Sequence, residues 1–347
     1  MATSRIIIAG TGSGVGKTSL SLALVRALTR RGLRVQTFKV GPDFLDPTYL
    51  ALASGRTCYN LDSWMCGKDY VEQLFQRASA QADVAVIEGV MGLFDGASPD
   101  TSIGSTAEIA KWLNAPVLLV VDAKGTARSI GAVIKGFDTF EPDVRIAGVI
   151  ANRVGSARHS HWLAETISSA KLPPLLGCIP INALPSLPSR HLGLVTANAG
   201  TLSPTLLDAL ADVLEKHINI EAILKLAHSA PPLPVVAATA PVIVSTDTCH
   251  PVTIGIASDA AFHFYYPDNL ECLAAHGARL VHFSPLKDHQ LPESLDALYL
   301  GGGYPEEFAE TLARNVGMMD SIRKFADAGG TISVSYTHLT LPTIYSV

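Results

Sequence analysis

A run of β-forming residues, Arg5-Ile6-Ile7-Ile8-Ala9, passes directly into Gly10-Thr11-Gly12-Ser13-Gly14-Val15-Gly16-Lys17-Thr18-Ser19, and then into the amphipathic stretch LSLALVRALTRRG. Strand, glycine-rich turn, Lys-Thr and helix leave few folds open. In such a turn the backbone N–H groups and the helix N-terminus face an anion. The lysine reaches the β- and γ-phosphates and the hydroxyl ligates Mg²⁺. Gly12, Ser13, Gly14, Val15, Gly16, Lys17, Thr18 and Ser19 are therefore the expected nucleotide cradle, with ATP and Mg²⁺ as its ligands. The spacing is a variant: Thr11 stands where the standard motif has its first glycine, so the loop runs Gly10-x5-Gly16-Lys17-Thr18. An ordinary glycine turn is the alternative, and the strand and helix on either side argue against it.

Short apolar runs (RIIIAG, RVQTFKV, DVAVIEGV, PVLLVVDA, IAGVIANRV, LLGCIP) alternate with helical patterns from residue 5 to 181. Near-continuous Val/Ile/Leu strands separated by helices indicate a parallel sheet covered on both faces. The expected class is α/β, a P-loop NTPase-type doubly wound parallel sheet. Residues Ala197–Pro251 read as one helix, LLDALADVLEKHI, and a linker rich in Pro, Ala, Ser and Thr. A second βαβ alternation follows through VTIGIAS, NLECLAAHGARLVHFS, ALYLGGGYPEE and SIRKFADAGG.

Composition removes several function classes. A formal net charge of −5 offers no surface for a polyanion such as nucleic acid. No apolar run approaches the ~20 residues a membrane helix needs, and the N-terminal run is too short for a signal peptide. The five cysteines Cys58, Cys66, Cys178, Cys249 and Cys272 form no CxxC pair. They read as buried, reduced thiols of a cytoplasmic protein.

Carboxylates narrow the chemistry. KVGPDFLDP places Lys39, Asp43 and Asp46 just beyond the second strand, and VAVIEGVMGLFDG ends the third with Glu88 and adds Asp95. Strand C-terminal ends line the ligand crevice of an open parallel sheet. Thr18, Asp43 (or its neighbour Asp46) and Glu88 are thus expected to supply oxygen ligands to Mg²⁺, with Lys17, Asp43, Asp46 and Glu88 as the catalytic set. Taken singly, either aspartate is an ordinary turn-former. His159 and His161 read as solvated side chains rather than metal ligands.

The blocks GTGSGVGKT, FKVGPDFLDPTY, VIEGVMGLFDG, GVIANRVGSARH, LPSRHLGLVTA, FHFYYPDNLE and LGGGYPEEFAETL together resemble the cobyrinic acid a,c-diamide synthase family of cobalamin biosynthesis, over residues 4 to 332. Hydrogenobyrinate and nickel-sirohydrochlorin a,c-diamide synthases are its close relatives, and dethiobiotin synthetase resembles only the first domain. The resemblance implies an ATP-dependent carboxylate–amine ligase that amidates the a and c side-chain carboxylates of cobyrinic or hydrogenobyrinic acid. Ammonia would come from glutamine, and a homodimer is compatible with it. It implies an amidoligase domain at 1–196, a helix and linker at 197–250, and part of a flavodoxin-like class I glutamine amidotransferase domain at 251–332. By the same analogy Asn152 reads adenine, or else serves as a cap or turn residue. Lys39, Asp95, Arg190 and His191 are candidate substrate contacts, the last two otherwise pinning a loop. Gly301, Gly302 and Gly303 fit the strand-end loop beside an oxyanion site. The nickel-sirohydrochlorin substrate and a partitioning or metallochaperone P-loop ATPase are the alternatives, and a third reading is a non-catalytic product.

The family continues past AGG with a strand and a Cys-Gly-Gly elbow. Here GGTI fits as an interior strand, while SVSYTHLTLPTIYSV holds no cysteine, His338 is its only histidine, and neither His338 nor Tyr336 has supporting context. Residues 333–347 therefore read as an unmatched tail, and the glutaminase half as inactive. Cys272, within a helical pattern, reads as a buried thiol.

Overall fold

The computed structural model describes residues 4–187, 202–234 and 251–335, together with the backbone of 189–190 and 193–194. The chain divides into two compact units, Met1–Ala238 and Thr239–Val347, each treated separately below.

In the first unit β1 (Ser4–Gly10) feeds the glycine turn and α1 (Lys17–Arg30). Then come β2 (Val35–Val40), α2 (Asp46–Ser54), β3 (Tyr59–Leu61), α3 (Ser63–Ser79), β4 (Val84–Glu88) and α4 (Thr106–Trp112). β5 (Val117–Asp122), α5 (Ser129–Phe140), β6 (Ile146–Val154), α6 (Ala157–Ser169) and β7 (Leu175–Pro180) complete the sheet. A two-residue ribbon, β8 (Ser189–Arg190) with β9 (Gly193–Leu194), precedes α7 (Pro204–His217) and α8 (Ile220–His228).

The seven strands are all parallel, in the order β3-β2-β4-β1-β5-β6-β7. Alternate residues of each strand face opposite sides, so both faces need cover. Ile6 and Ile8 pack with Leu20, Leu24 and Leu28 of α1, Leu50 of α2, Leu210 and Leu214 of α7 and Ile223 of α8. Ile7 and Ala9 pack on the other side with Phe75 of α3, Ile109 of α4, Ile134 of α5 and Leu163 of α6. The doubly wound expectation is met, and β1, at the centre of the sheet, carries its glycine turn between β4 and β5.

Three expectations need correction here. β3 was not anticipated, so Glu88 ends the fourth strand and Asn152 lies on the sixth. Three residues between turns give too short an apolar pattern to register. The stretch after residue 197 holds two helices, and both pack into the first unit's core. α7 buries Leu207, Leu210 and Leu214, each worth about 1.5–3 kcal/mol, and it pairs Asp208, Asp212 and Glu215 with Arg26 and Arg30 of α1 and with Arg31 just after it. The cysteines, expected buried throughout, are so among the described residues only at Cys58; Cys178 is half-buried, Cys66 and Cys272 are exposed, and Cys249 lies outside the described residues.

A buried cation fastens the segment after α8. Arg5 of β1, fully buried, donates from Nε to the Leu113 carbonyl and from Nη2 to the Pro231 carbonyl at 2.6 Å. Burial pulls its guanidinium down to about 10.

In the second unit β10 (Thr253–Ala257) leads through β11 (Phe262–Phe264) to α9 (Pro267–Ala275) and β12 (Arg279–Phe283). β13 (Ala297–Leu300) and β14 (Gly302–Gly303) follow, then a 3₁₀ turn (Pro305–Phe308), α10 (Ala309–Arg314), α11 (Val316–Asp327) and β15 (Thr331–Val334). The parallel order is β12-β10-β13-β15, with β11 and β14 as a separate antiparallel pair. β15, expected as an interior strand, is an edge strand of the described sheet. Thr331, Ser333 and Val334 are exposed. The tail from Tyr336 on, His338 included, lies outside the described residues. Among the described residues no helix is long and apolar enough to cross a membrane.

Candidate active site

The cradle rests on an uncapped helix. Gly16, the N-cap of α1, has φ 102°, left-handed backbone that glycine holds without steric cost. A Cβ there would stand 2.4 Å from Asn152 Nδ2. No side chain caps α1, whereas Asp62, Ser105, Ser156, Ser203 and Asn219 cap α3, α4, α6, α7 and α8. The first-turn N–H groups of α1 are left for an anion. Lys17 folds back over the turn, its Nζ donating to the Gly12 carbonyl at 3.0 Å and to the Met91 carbonyl. Burial, followed by the nearby Lys39, holds the Lys17 ammonium below its usual range.

Beside the cradle stands a group of acids, and strand register assembles it. Lys39 of β2 lies opposite Glu88 of β4, so their side chains emerge side by side. Lys39 Nζ donates to Glu88 Oε1 at 3.0 Å and to Asp46, with Asp43 at 4.0 Å. Thr18 Oγ1 donates to the same Glu88 Oε1 at 2.7 Å, which joins the group to the cradle. Asp43 Oδ1 accepts from the Leu45 N–H at 2.7 Å and the Asp46 N–H at 3.3 Å, turning the chain into α2. Asn60, opposite Lys39 on β3, donates to the Gly41 and Asp43 carbonyls at 2.8 and 2.7 Å and holds that loop down.

The charges follow from burial and crowding. Burial pulls the Lys39 ammonium down, but Glu88, Asp46 and Asp43 outweigh it and raise it above its ordinary value. Asp43 is pushed up to about 6 by burial and by Asp46. Glu88 is fully buried and pushed up to about 7, burial and Asp46 outweighing Lys39. Asp46 stays below its usual range because Lys39 overcomes its burial. Three carboxylates thus face one ammonium, and Glu88 Oε2 is buried without a hydrogen-bond partner. An unpaired buried carboxylate oxygen beside excess negative charge fits a divalent cation. Among the described residues no three His, Cys, Asp or Glu side chains form a group able to hold a metal by themselves. Such an ion would draw its remaining oxygens from phosphate and water, as Mg²⁺ usually does.

Two cavities open here. One of 530 Å³ is lined by Gly14, Lys17, Thr18, Asp43, Asp46 and Arg153. A neighbour of 340 Å³ shares Gly16, Ser19, Arg153 and Leu187 and extends past Asn152 to Pro180. Asn152 is 5 % exposed, and its Nδ2 donates to the Val15 carbonyl at 2.8 Å while Oδ1 accepts from the Arg153 N–H. These two bonds fasten the turn.

The other expected residues scatter. Lys39 is a strand residue, 3 % exposed, rather than one beyond the strand. It is the counter-ion of the acids, which corrects its reading as a substrate contact. Asp95 accepts from the Gly92 N–H at 2.8 Å and lines a separate cavity with Ser13, Met91 and Phe94. His159 is not solvated: its Nε2 faces the Thr126 carbonyl at 2.6 Å, while exposed His161 pairs with Glu165. Arg190 is described only as backbone, and His191 lies outside the described residues. Sequence reasoning missed Asn60 and Arg153, which donate to backbone carbonyls, and Asp122, which accepts from the Arg153 guanidinium; none carries a local motif.

In the second unit the glycine turn after β13 is closed rather than open. The Gly301 N–H donates to the Tyr265 hydroxyl at 2.7 Å, and that hydroxyl donates to the Ala257 carbonyl. Gly302 and Gly303 pair with β11, which corrects their reading as a loop. Cys272 lies on α9, as expected of a helical position, but exposed.

A parallel sheet with a phosphate turn after its central strand and acids on the adjoining strands defines a P-loop nucleotide-binding protein. Residues 6–195 match the family described as "CobQ/CobB/MinD/ParA nucleotide binding domain", and residues 253–334 the "CobB/CobQ-like glutamine amidotransferase domain". The chain is 58 % identical over 328 residues to the cobyrinate a,c-diamide synthase of Syntrophotalea carbinolica, covering 94 % of this chain and 71 % of that protein. It is 45 % identical over 339 residues to that of Leptospira interrogans serogroup Icterohaemorrhagiae serovar copenhageni, covering 95 % and 73 %. To that of Priestia megaterium it is 45 % identical over 330 residues, covering 95 % and 70 %. The chain belongs to the cobyrinate a,c-diamide synthase family.

Proposed function

We propose that this chain is an ATP-dependent amidoligase acting on the a and c side-chain carboxylates of cobyrinic acid or its metal-free counterpart. In this reading a substrate carboxylate oxygen attacks the γ-phosphorus of ATP, ADP leaves, and an acyl phosphate forms. Ammonia then adds to the acyl carbon, phosphate departs with the C–O bond, and loss of a proton leaves the carboxamide. A carboxylate is a weak nucleophile, so the reaction needs alignment and charge neutralisation more than a general base.

The cradle residues Gly12 to Ser19 would hold the phosphates, Lys17 the charge that develops on them. Thr18, Glu88 and Asp43 would hold Mg²⁺, which supplies charge neutralisation between phosphate and carboxylate oxygens when bound. Lys39 keeps these acids packed together in the absence of ligand. The cavity beyond Asn152 would receive the nucleoside. The observation that carries the reading is the buried, unpartnered Glu88 Oε2 next to the Thr18 hydroxyl at the mouth of the cradle.

The test is ATP turnover. Phosphate release should require both a corrinoid carboxylate and ammonium. Turnover at the full rate with protein alone would instead indicate a simple ATPase.

A further inference from the structure

Arg153 follows Asn152 near the end of β6. Its backbone is left-handed, φ 58°, uncommon for a long side chain and the mark of a position its surroundings hold in place. Its guanidinium spans two partners: Nη1 donates to Asp122 Oδ2 at 2.6 Å and Nη2 to the Gly14 carbonyl at 2.7 Å. Asp122, the last residue of β5, is opposite Asn152 in the β5–β6 register and accepts from the Lys124 N–H with its other oxygen.

The consequence lies in the peptide planes of the turn. A trans peptide directs its C=O and N–H oppositely. A guanidinium fixed on the Gly14 carbonyl therefore fixes the direction of the Val15 N–H. Asn152 Nδ2 on the Val15 carbonyl does the same for the Gly16 N–H. Gly14 is itself left-handed at φ 73°, and a glycine peptide left to itself has many orientations. Two consecutive residues at the end of β6 thus hold two consecutive carbonyls of the turn. A donor whose direction is set beforehand binds an anion without a reorganisation cost.

We propose that Arg153, anchored by Asp122, is a positioning residue of the phosphate turn: it holds the Gly14 peptide so that the Val15 amide is set before a nucleotide arrives. This rests on the nucleotide-binding reading above. Asp122 matters because its charge keeps the guanidinium on the carbonyl instead of in the open cavity that Arg153 also lines.

The test is calorimetric titration of the full chain with ATP and Mg²⁺, alongside the melting midpoint of the nucleotide-free protein. R153A should weaken ATP binding roughly 10-fold or more, the scale of a lost charge-assisted hydrogen bond. Its nucleotide-free midpoint should match wild type. R158A removes an equally positive side chain, exposed over the Trp162 ring, and should bind ATP within about twofold of wild type. D122N, which keeps an acceptor but loses the anchoring charge, should fall between. R153A binding like wild type, or R158A losing as much as R153A, overturns the proposal. If R153A melts early, R153K and D122N decide: weaker ATP binding at an unchanged midpoint supports it, and wild-type affinity in both overturns it. Wild-type protein that binds no ATP contradicts the nucleotide reading itself, a separate outcome.

Discussion

Glu88 ends parallel strand β4 in the first unit and Asp259 follows parallel strand β10 by two residues in the second, and their surroundings treat them in opposite ways. Asp259 accepts from the Ala261 and Phe262 N–H groups with one oxygen and from the Ser284 hydroxyl and Leu286 N–H with the other. Glu88 is more deeply buried, yet its Oε2 has no partner and its Oε1 is shared by Thr18 and Lys39. The backbone shows the same contrast. The first turn of α1 has no side-chain cap, while the Gly301 N–H is closed off by Tyr265. A saturated carboxylate shapes a loop. One left unsatisfied in a buried site holds free energy that a cation and phosphates would recover on binding.

The largest expected effect attacks the unsatisfied side directly. Lys17→Ala and Glu88→Gln should each lower ammonium-dependent amidation by about 10³-fold or more, as expected when a charged group facing the transferred phosphoryl is removed. Initial rates of amide formation measure it. More than a tenth of the wild-type rate in either variant, an ~1.4 kcal/mol threshold, would break the assignment.

Lys39→Met should destabilise the first unit by about 3–5 kcal/mol, because it strands buried carboxylates without their counter-ion. Urea unfolding reads this. The loss should shrink toward acid pH, where Asp43 and Glu88 take up protons.

The pH dependence of the native protein sharpens the same point. Asp43 and Glu88, raised to about 6 and about 7, bind protons more tightly folded than unfolded. Across roughly pH 4 to 7 the native state holds the extra protons, so these two groups lower stability as pH rises through that window. Binding of ATP with Mg²⁺ should strengthen over the same window, since the cation needs ionised carboxylates. Unfolding midpoints and ATP titrations at a series of pH values test both signs; equal affinity at about pH 5 and about pH 8 would contradict the cation role of Glu88.

Effects in the second unit should be smaller. Tyr265→Phe removes the partner of the Gly301 N–H and should cost about 1–3 kcal/mol, read by faster hydrogen exchange at Gly301. Cys272→Ser should shift stability by no more than ~0.5 kcal/mol and leave any glutamine-dependent rate unchanged, as its exposed helical position implies.

What was legible in sequence was local. The passage from β1 through the glycine turn into α1 spans contiguous residues with fixed chemistry, and Lys17 and Thr18 follow from it; Glu88 follows from its place at the C-terminal end of an apolar strand. Asp43 and Asp46 were legible as a pair because two acids in a Pro/Gly turn after a strand is a local pattern. Lys39 was misread because its role comes from strand register, and β2 pairs with β4 across 49 residues of sequence. Arg153 and Asn60 act on main-chain carbonyls brought near only by folding, so no residue pattern announces them. The helix α8 was hidden by the Pro- and Ala-rich stretch after it, although its buried residues Ile220, Ile223 and Ala227 keep helical spacing.

In the proposed reaction the acids beside the cradle serve amidation of a corrinoid carboxylate. The most direct measurement is the mass of the macrocycle after incubation of wild type and Glu88→Gln with ATP, Mg²⁺, ammonium and cobyrinic acid. Two carboxylates converted to carboxamides by wild type and none by the variant is the predicted result. An unchanged macrocycle with ATP consumed, or equal conversion by both proteins, would contradict it.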